Sequence, residues 1–202
     1  MPLWLARKPL VLASISEVRR KILAGAGLPV EIRPASIDER AVEARAGAKT
    51  AAEAARVLAR AKAAAISKKM PGRLVLGADQ TLVLGKTRFS KPAGRVQAAE
   101  QLRALAGKTH TLHSAFTLMQ SGEMLFEYDD KARLTMRKFS AQFLESYLDA
   151  AGKAATASIG GYQIEGVGAH LFERVDGDYF TILGLPLLPL LDFLRRNGFI
   201  AG

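Results

Sequence analysis

The chain has 202 residues, long enough by area scaling to bury about 70% of the surface its unfolded form would expose, so its core needs no disulfide or structural metal. Hydrophobic residues make 49% and charged residues 24%, which excludes extended disorder, while the absence of cysteine removes disulfides, thiolate metal sites and a Cys nucleophile and suits a reducing cytosol. The net charge of +10 is concentrated early, with 14 basic and 6 acidic side chains in residues 1–70 against 15 and 13 in the rest; such a field attracts nucleic acid, an anionic membrane surface or a nucleotide triphosphate alike.

Strand and helix signals alternate through the first two thirds, with no fixed repeat and no Pro-, Gly- or Ser-rich linker, the pattern of an α/β layer structure. Leu10 to Ala13 is a short apolar strand. Ser16 caps a predicted helix to about Ala26, stopped by the glycines at 25 and 27 and by Pro29, and Val30 to Arg33 is the next strand. Thr50 with Glu53 forms a capping-box signature ahead of an Ala-rich helix to Ser67. Leu74 to Leu84 reads as a buried strand interrupted by Asp79, Gln80 and Thr81, polar residues where an apolar sheet has no use for them. Arg95 to Leu105 is an amphipathic helix, and Thr109 to Met119 with Met124 to Lys138 form a hairpin through Ser121 and Gly122. Ser140 caps a helix to about Ala151. The glycine-rich stretch Gly160 to Gly168 leads to a strand from His170 to Val175, and the apolar run Leu185 to Leu194 is a packed helix. No apolar run reaches the roughly 18 residues of a membrane span, and Arg7 and Lys8 fall inside what would be a signal peptide's apolar core, so a soluble cytoplasmic protein is expected.

Several motifs fail on spacing. Seven residues separate Gly77 from the Gly-Lys-Thr at 85–87 where a P-loop needs four, so a β-turn is the better reading. His110, His113 and His170 lie scattered through predicted strands without the i, i+4 pairing of a helical zinc site. No Gly-x-Ser-x-Gly elbow is present.

The segment from Leu12 to Arg20 is different, because a strand ends at Ser14 and Ser16 and enters a helix carrying Arg19 and Arg20. Helix-terminal amides, hydroxyls and a guanidinium make a phosphate-binding set; the bland alternative is that Ser16 only caps and both arginines are solvated. Downstream, Asp38, Glu39 and Asp79 with Lys62 and Lys91 would suit a metal-bound triphosphate.

Taken together, LASISEVRR (12–20), ASIDER (35–40), ARAK (59–62), GADQTLVL (77–84), SKP (90–92), LAGKTHTLHSA (105–115) and YQIEGVGAHLFERVDGDYFTILGLP (162–186) resemble the Maf proteins, nucleoside triphosphate pyrophosphatases that cleave between the α and β phosphates. The resemblance covers nearly the whole chain. It implies a single domain over residues 1–202: an α/β fold with a bent mixed β-sheet flanked by helices, two lobes and a central cleft, the anvil fold shared with inosine triphosphatase. It also implies a cytoplasmic homodimer that depends on Mg²⁺ or Mn²⁺, binds a nucleoside triphosphate and has no membrane or stable nucleic-acid partner. Carried over residue by residue, Asp79 is the proton acceptor that activates water, and Ser14, Arg19, Lys62 and Lys91 bind phosphate. Glu39 joins Asp79 at the metal, and Val18, Gln80 and Glu165 sit where the family varies with the base. Gln80 and Glu165 resemble the 7-methyl-GTP branch, whereas Val18 stands where that branch carries an aromatic ring, and Glu17 replaces a usual proline.

Two rivals follow from the same residues. A non-catalytic regulator of cell division would use the basic first third to bind nucleotide or nucleic acid, although only Trp4 offers a stacking ring among those cations. A nucleotidyltransferase would release pyrophosphate while attaching the nucleotide to an acceptor.

Overall fold

The computed structural model describes residues 2–202. Its sheet begins with β1 (Leu10–Leu12), which pairs in parallel with both β2 (Val30–Ile32) and β3 (Leu74–Leu84). Buried on both faces, β1 and the first half of β3 are continuous apolar runs, as a covered parallel sheet requires. Between β1 and β2 runs α1 (Glu17–Gly25), started by Ser16, whose hydroxyl accepts from the Arg19 amide. Between β2 and β3 run α2 (Glu39–Ala46) and α3 (Ala51–Ser67), the latter opened by the full Thr50–Glu53 capping box.

β4 (Thr87–Phe89) folds back antiparallel on β3 through a turn in which Gly85 has a positive φ, so the Gly-Lys-Thr segment is a hairpin turn. After α4 (Arg95–Leu105), β5 (Thr109–Gln120) and β6 (Glu123–Met136) are joined by Ser121 and Gly122, both at positive φ. Then come α5 (Ala141–Ala151), α6 (Ala154–Ala157), two 3₁₀ turns (Ile159–Gly161 and Val167–Leu171) and β7 (Phe172–Asp176), antiparallel to β6. The chain ends with α7 (Tyr179–Ile182) and α8 (Leu187–Arg196). The strand order is β2-β1-β3-β5-β6-β7 with β4 on β3, a mixed seven-stranded α/β sheet.

Two compact units divide the chain inside three strands. The first comprises residues up to Gln80, His113–Asp130 and Asp178–Gly202; the second comprises Thr81–Leu112 and Lys131–Gly177. In the first, Leu10, Leu12, Leu23, Leu76, Phe116, Leu118, Leu185, Leu190 and Leu194 form one fully buried core of β1, β3, β5, α1 and α8. In the second, Tyr162 packs edge-on against Phe172 at 4.8 Å, His110 lies against both, and the Tyr147 hydroxyl donates to the Gly161 carbonyl.

The chain departs from the sequence reading at short elements. α2, β4, α6 and α7 were not expected, being three to eight residues long and so too short for a periodic pattern to stand out in the sequence. His170 lies in a 3₁₀ turn and β7 starts only at Phe172, while Pro186 delays α8 to Leu187.

Candidate active site

The first turn of α1 does more than cap a helix. The Ser14 hydroxyl accepts from the Ser16 amide at 3.2 Å and from Arg19 Nη1 at 3.3 Å. Arg19 is only 9% exposed, and it donates from Nε to the Gly184 carbonyl at 2.8 Å and from Nη1 to the Ala78 carbonyl at 2.9 Å. The alternative in which both arginines are solvated therefore fails for Arg19 and holds for Arg20, which is exposed and paired with Glu17 one turn away. Burial pushes the Arg19 guanidinium below its ordinary value, an effect opposed by the charges of Asp79 and Glu39.

Asp79 is buried in the middle of β3, and its Oδ1 accepts from Lys62 Nζ at 2.6 Å. The same ammonium stands 2.7 Å from Glu39 Oε1. Lys62 lies on α3 and Glu39 opens α2, so the two helices between β2 and β3 carry the partners of the strand's carboxylate. This convergence depends on Gly77, two residues before Asp79 and on the same face of β3. A Cβ built on Gly77 would fall 2.2 Å from the Ala59 carbonyl oxygen and 2.5 Å from the Ala63 nitrogen, so the backbone of α3 crosses directly on the strand. Desolvation raises the Asp79 carboxyl above its ordinary value, and the nearby Lys62 and Arg19 charges pull it back.

Could these residues hold a divalent cation? Two carboxylates close enough to share one ammonium are close enough to share one ion, and both offer the hard oxygens that Mg²⁺ or Mn²⁺ prefers. Among the described residues no group of three or more His, Asp or Glu side chains converges. The protein would supply one or two carboxylates and leave the remaining positions to water and phosphate, which is how Mg²⁺ is ordinarily held. The residues fit the group.

Gln80 leaves β3 on the face opposite Asp79. Its amide nitrogen lies 2.9 Å from the Ser114 hydroxyl, 3.1 Å from the Thr181 carbonyl and 2.9 Å from the Ile182 carbonyl. Val18, on α1, is half-buried against the core of the first unit. Within that unit the structure thus brings together Ser14, Arg19, Glu39, Lys62 and Asp79, with Gln80 behind the strand. Lys91 and Glu165 belong to the second unit, where both are exposed, Lys91 between β4 and α4 and Glu165 between the two 3₁₀ turns.

The capping role of Asp38 and the buried pair Ser114 and Thr181 escaped the sequence reading. Asp38 is the N-cap of α2, accepting from the Ala41 amide, so it orients the helix that presents Glu39. Ser114 and Thr181, both fully buried, tie the C-terminal end of α7 to β5 and, through Gln80, to β3. The spacing of Asp178 to Thr181 is an N-cap signal that marks α7, whereas nothing around Ser114 in a β-rich segment distinguishes it from a strand residue.

A buried carboxylate shared with a lysine, beside a buried arginine at a helix start, gathers opposite charges on the mixed sheet of an α/β protein. The model of the family described as Maf-like protein matches residues 9–197, and the chain belongs to that family. It is 53% identical over 201 residues, the whole of both chains, to a nucleoside triphosphate pyrophosphatase of Rhodopseudomonas palustris strain BisB18. A protein of the same description from Nitrobacter winogradskyi is 55% identical over 98% of each chain. A 7-methyl-GTP pyrophosphatase of Rhizobium etli is 50% identical, covering 96% of this chain and 98% of its own. A solved HAM1 protein of Coxiella burnetii overlaps 63% of this chain and 72% of its own at a TM-score of 0.40 and 16% identity, a partial likeness only.

Proposed function

We propose that this protein is a nucleoside triphosphate pyrophosphatase, a hydrolase that cleaves the α–β anhydride to give a nucleoside monophosphate and pyrophosphate. The observation that carries the reading is the sharing of one ammonium, Lys62, by Asp79 and Glu39 beside the buried Arg19. A charge-neutral strand core has no need of a carboxylate, two cations and a second carboxylate; an anionic substrate that arrives with its own cation does. Whole-length relatives described as pyrophosphatases support the same conclusion.

In this mechanism Asp79 accepts a hydrogen bond from the attacking water and orients it in line with the leaving pyrophosphate. Asp79 and Glu39 would hold a divalent cation, Mg²⁺ or Mn²⁺, which when bound neutralises phosphate charge and acidifies nearby water. Lys62, released from carboxylate by substrate binding, turns its ammonium to phosphate. Ser14 and Arg19 hold a phosphate oxygen at the start of α1, and the family resemblance assigns phosphate binding to Lys91 as well. Asp79→Asn should lose at least about 10²-fold in turnover, the usual worth of a general base. A folded variant retaining a tenth of wild-type activity would refute the assignment.

Base preference rests on Glu165, with Val18 and Gln80 the other positions where the family varies. A carboxylate accepts from the N1 and N2 edge of a guanine and repels the carbonyl edge of uracil or thymine. A guanine-type triphosphate, 7-methyl-GTP included, is therefore the proposed substrate, turned over by a cytoplasmic homodimer. Release of pyrophosphate from GTP, 7-methyl-GTP, UTP and dTTP with Mg²⁺, Mn²⁺ or EDTA tests both parts. Preference for a pyrimidine in wild type, or an unchanged ratio in Glu165→Gln, would remove the base assignment. Accumulation of free monophosphate separates hydrolysis from nucleotidyl transfer. No helix among the described residues is long and apolar enough to cross a membrane.

A further inference from the structure

Residues 90–94 connect β4 to α4, and the helix they lead into holds them at two points. Gln101 of α4 donates from Nε2 to the Ser90 carbonyl at 3.0 Å. One turn earlier, Gln97 Oε1 accepts from the Ala93 amide at 2.6 Å. The two glutamines are spaced i, i+4 and so share one stripe of the helix. Between the two main-chain groups they hold stand only Lys91 and Pro92. Pro92 is buried and its ring fixes φ, whereas Lys91 is exposed. The main chain of Lys91 is thus pinned on both sides while its side chain reaches solvent.

Gln101 is the costly member of this arrangement. It is 8% exposed on the buried side of α4, where its companions are Ala98, Ala99, Leu102 and Leu105. The orientation of its amide is fixed by chemistry, since the Ser90 carbonyl can only accept and must face the NH₂. Its Oε1 is therefore turned away from Ser90, and there it is buried with no hydrogen-bond partner among the described residues. A desolvated acceptor left unpaired weakens the fold, and methionine would fill a similar volume without that penalty. The single bond Gln101 makes, to the main chain of an exposed serine, is a small gain for stability.

We infer that Gln101 is a positioning residue: with Gln97 it sets the main chain on which Lys91 stands, so that the ammonium is presented ready-placed to the substrate's phosphates. The inference rests on the pyrophosphatase reading and on the phosphate role which that reading gives Lys91. A lysine on a loose connection would lose main-chain as well as side-chain freedom on meeting phosphate, and a connection already fixed lowers that entropy cost. Loss of Gln101 is therefore felt in substrate binding, by way of Lys91, and alike for every base.

Gln101→Met removes the donor and the unpaired acceptor together, and Gln97→Met removes the second grip at an exposed position. Each is made alone, and Gln101→Met is also made in a Lys91→Ala background. Melting temperature is measured on all of them, with kcat and KM for pyrophosphate release from GTP, 7-methyl-GTP, UTP and dTTP. Gln101→Met should melt at or above the wild-type temperature and raise KM by about 3- to 10-fold with kcat nearly unchanged, a smaller rise than the roughly tenfold or more of Lys91→Ala. Gln97→Met should show a weaker rise of the same kind, and the ratios among the four substrates should stay at wild-type values. In the Lys91→Ala background Gln101→Met should add nothing, an outcome that a merely structural contact does not produce.

The same rise of KM with and without Lys91 would overturn the inference, because Gln101 would then act independently of the lysine. A Gln101→Met protein that melts well below wild type or fails to fold, or wild-type KM in both glutamine variants, would overturn it in favour of a purely structural contact. A changed substrate ratio would overturn it in favour of base reading by the buried Oε1. Wild-type KM in Lys91→Ala would remove the inference and leave the pyrophosphatase reading standing, whereas wild-type protein that releases no pyrophosphate from any of the four would remove both.

Discussion

Lys62 Nζ and Asp79 Oδ1 stand 2.6 Å apart, a lysine of α3 and an aspartate of β3 that are both nearly withdrawn from solvent, while the second carboxylate on that ammonium, Glu39, is half exposed. Asp79 is therefore the dependent partner: without Lys62 its charge would be held by Arg19 alone in a desolvated strand. Lys62→Met should destabilise the fold by about 3 kcal/mol, the scale of breaking a buried pair from one side. Asp79→Asn should cost less, because Lys62 keeps Glu39. In the double variant both buried charges are gone, and the loss should fall short of the sum of the two by on the order of 2 kcal/mol. Urea denaturation of the three variants measures the cycle; strict additivity would show that the pair contributes nothing.

The approach of α3 to β3 carries its own prediction. At Gly77 an added methyl meets backbone, the Ala59 carbonyl and the Ala63 nitrogen, and those atoms have no rotamer by which to yield. Gly77→Ala should push the helix off the strand, lowering stability by at least the ~1–3 kcal/mol typical of overpacking and parting Lys62 from Asp79. Ala63→Gly should not rescue it, since the two shortest contacts are to backbone that every residue has. Recovery of the melting temperature in that double variant would show the clash to be with the Ala63 methyl.

Arg19 and Lys91 share a proposed role in phosphate binding and differ in burial, so their alanine variants should part company. Arg19→Ala removes three hydrogen bonds, two of them to carbonyls inside the protein, and leaves those acceptors short of a donor. It should lower stability by about 2–4 kcal/mol as well as weaken substrate use. Lys91 is exposed, and Lys91→Ala should leave the melting temperature within a degree or two of wild type on the scale of surface substitutions while raising KM. Thermal melts and steady-state kinetics on the same preparations suffice; a stable Arg19→Ala protein would contradict the buried network.

These contrasts mark what could be read from the chain alone. Long elements with a full period or a cap were legible: α3 begins at its Thr50–Glu53 box, β3 runs over the expected residues, and the Ser121-Gly122 turn joins β5 to β6. Asp79 stood out in the sequence because it breaks an apolar strand, and the structure pairs it there with Lys62. The burial of Arg19 was not, since charged residues early in a surface helix ordinarily point to solvent and only the remote Gly184 and Ala78 carbonyls decide otherwise. The same holds for Ser114 and Thr181, which lie 34 and 101 residues from Gln80 and 67 from each other. Glu39 was legible by position but not in its setting, because α2 has neither a buried face nor the length that makes a helix periodic.

His110 yields a pH dependence whose sign can be worked out. Its Nε2 lies 2.7 Å from the Tyr162 hydroxyl, and its Nδ1 is buried without a hydrogen-bond partner, so a protonated ring would carry an N–H with nowhere to donate. Burial accordingly pushes the imidazole down to about 4 from an ordinary 6.5. Between those values the unfolded chain binds a proton that the folded chain refuses, so stability rises with pH across the window. The contribution is complete above pH 6.5 and is lost as pH falls towards 4, by about 3 kcal/mol at the constant of 1.36 per unit. His110→Gln keeps a polar group beside Tyr162 and has nothing to titrate. Its free energy of unfolding should be lower than wild type at pH 7.5, and the gap should narrow steadily towards pH 4.5. Parallel stability curves for the two proteins over that range would show that His110 titrates in the folded state as freely as it does in the unfolded chain.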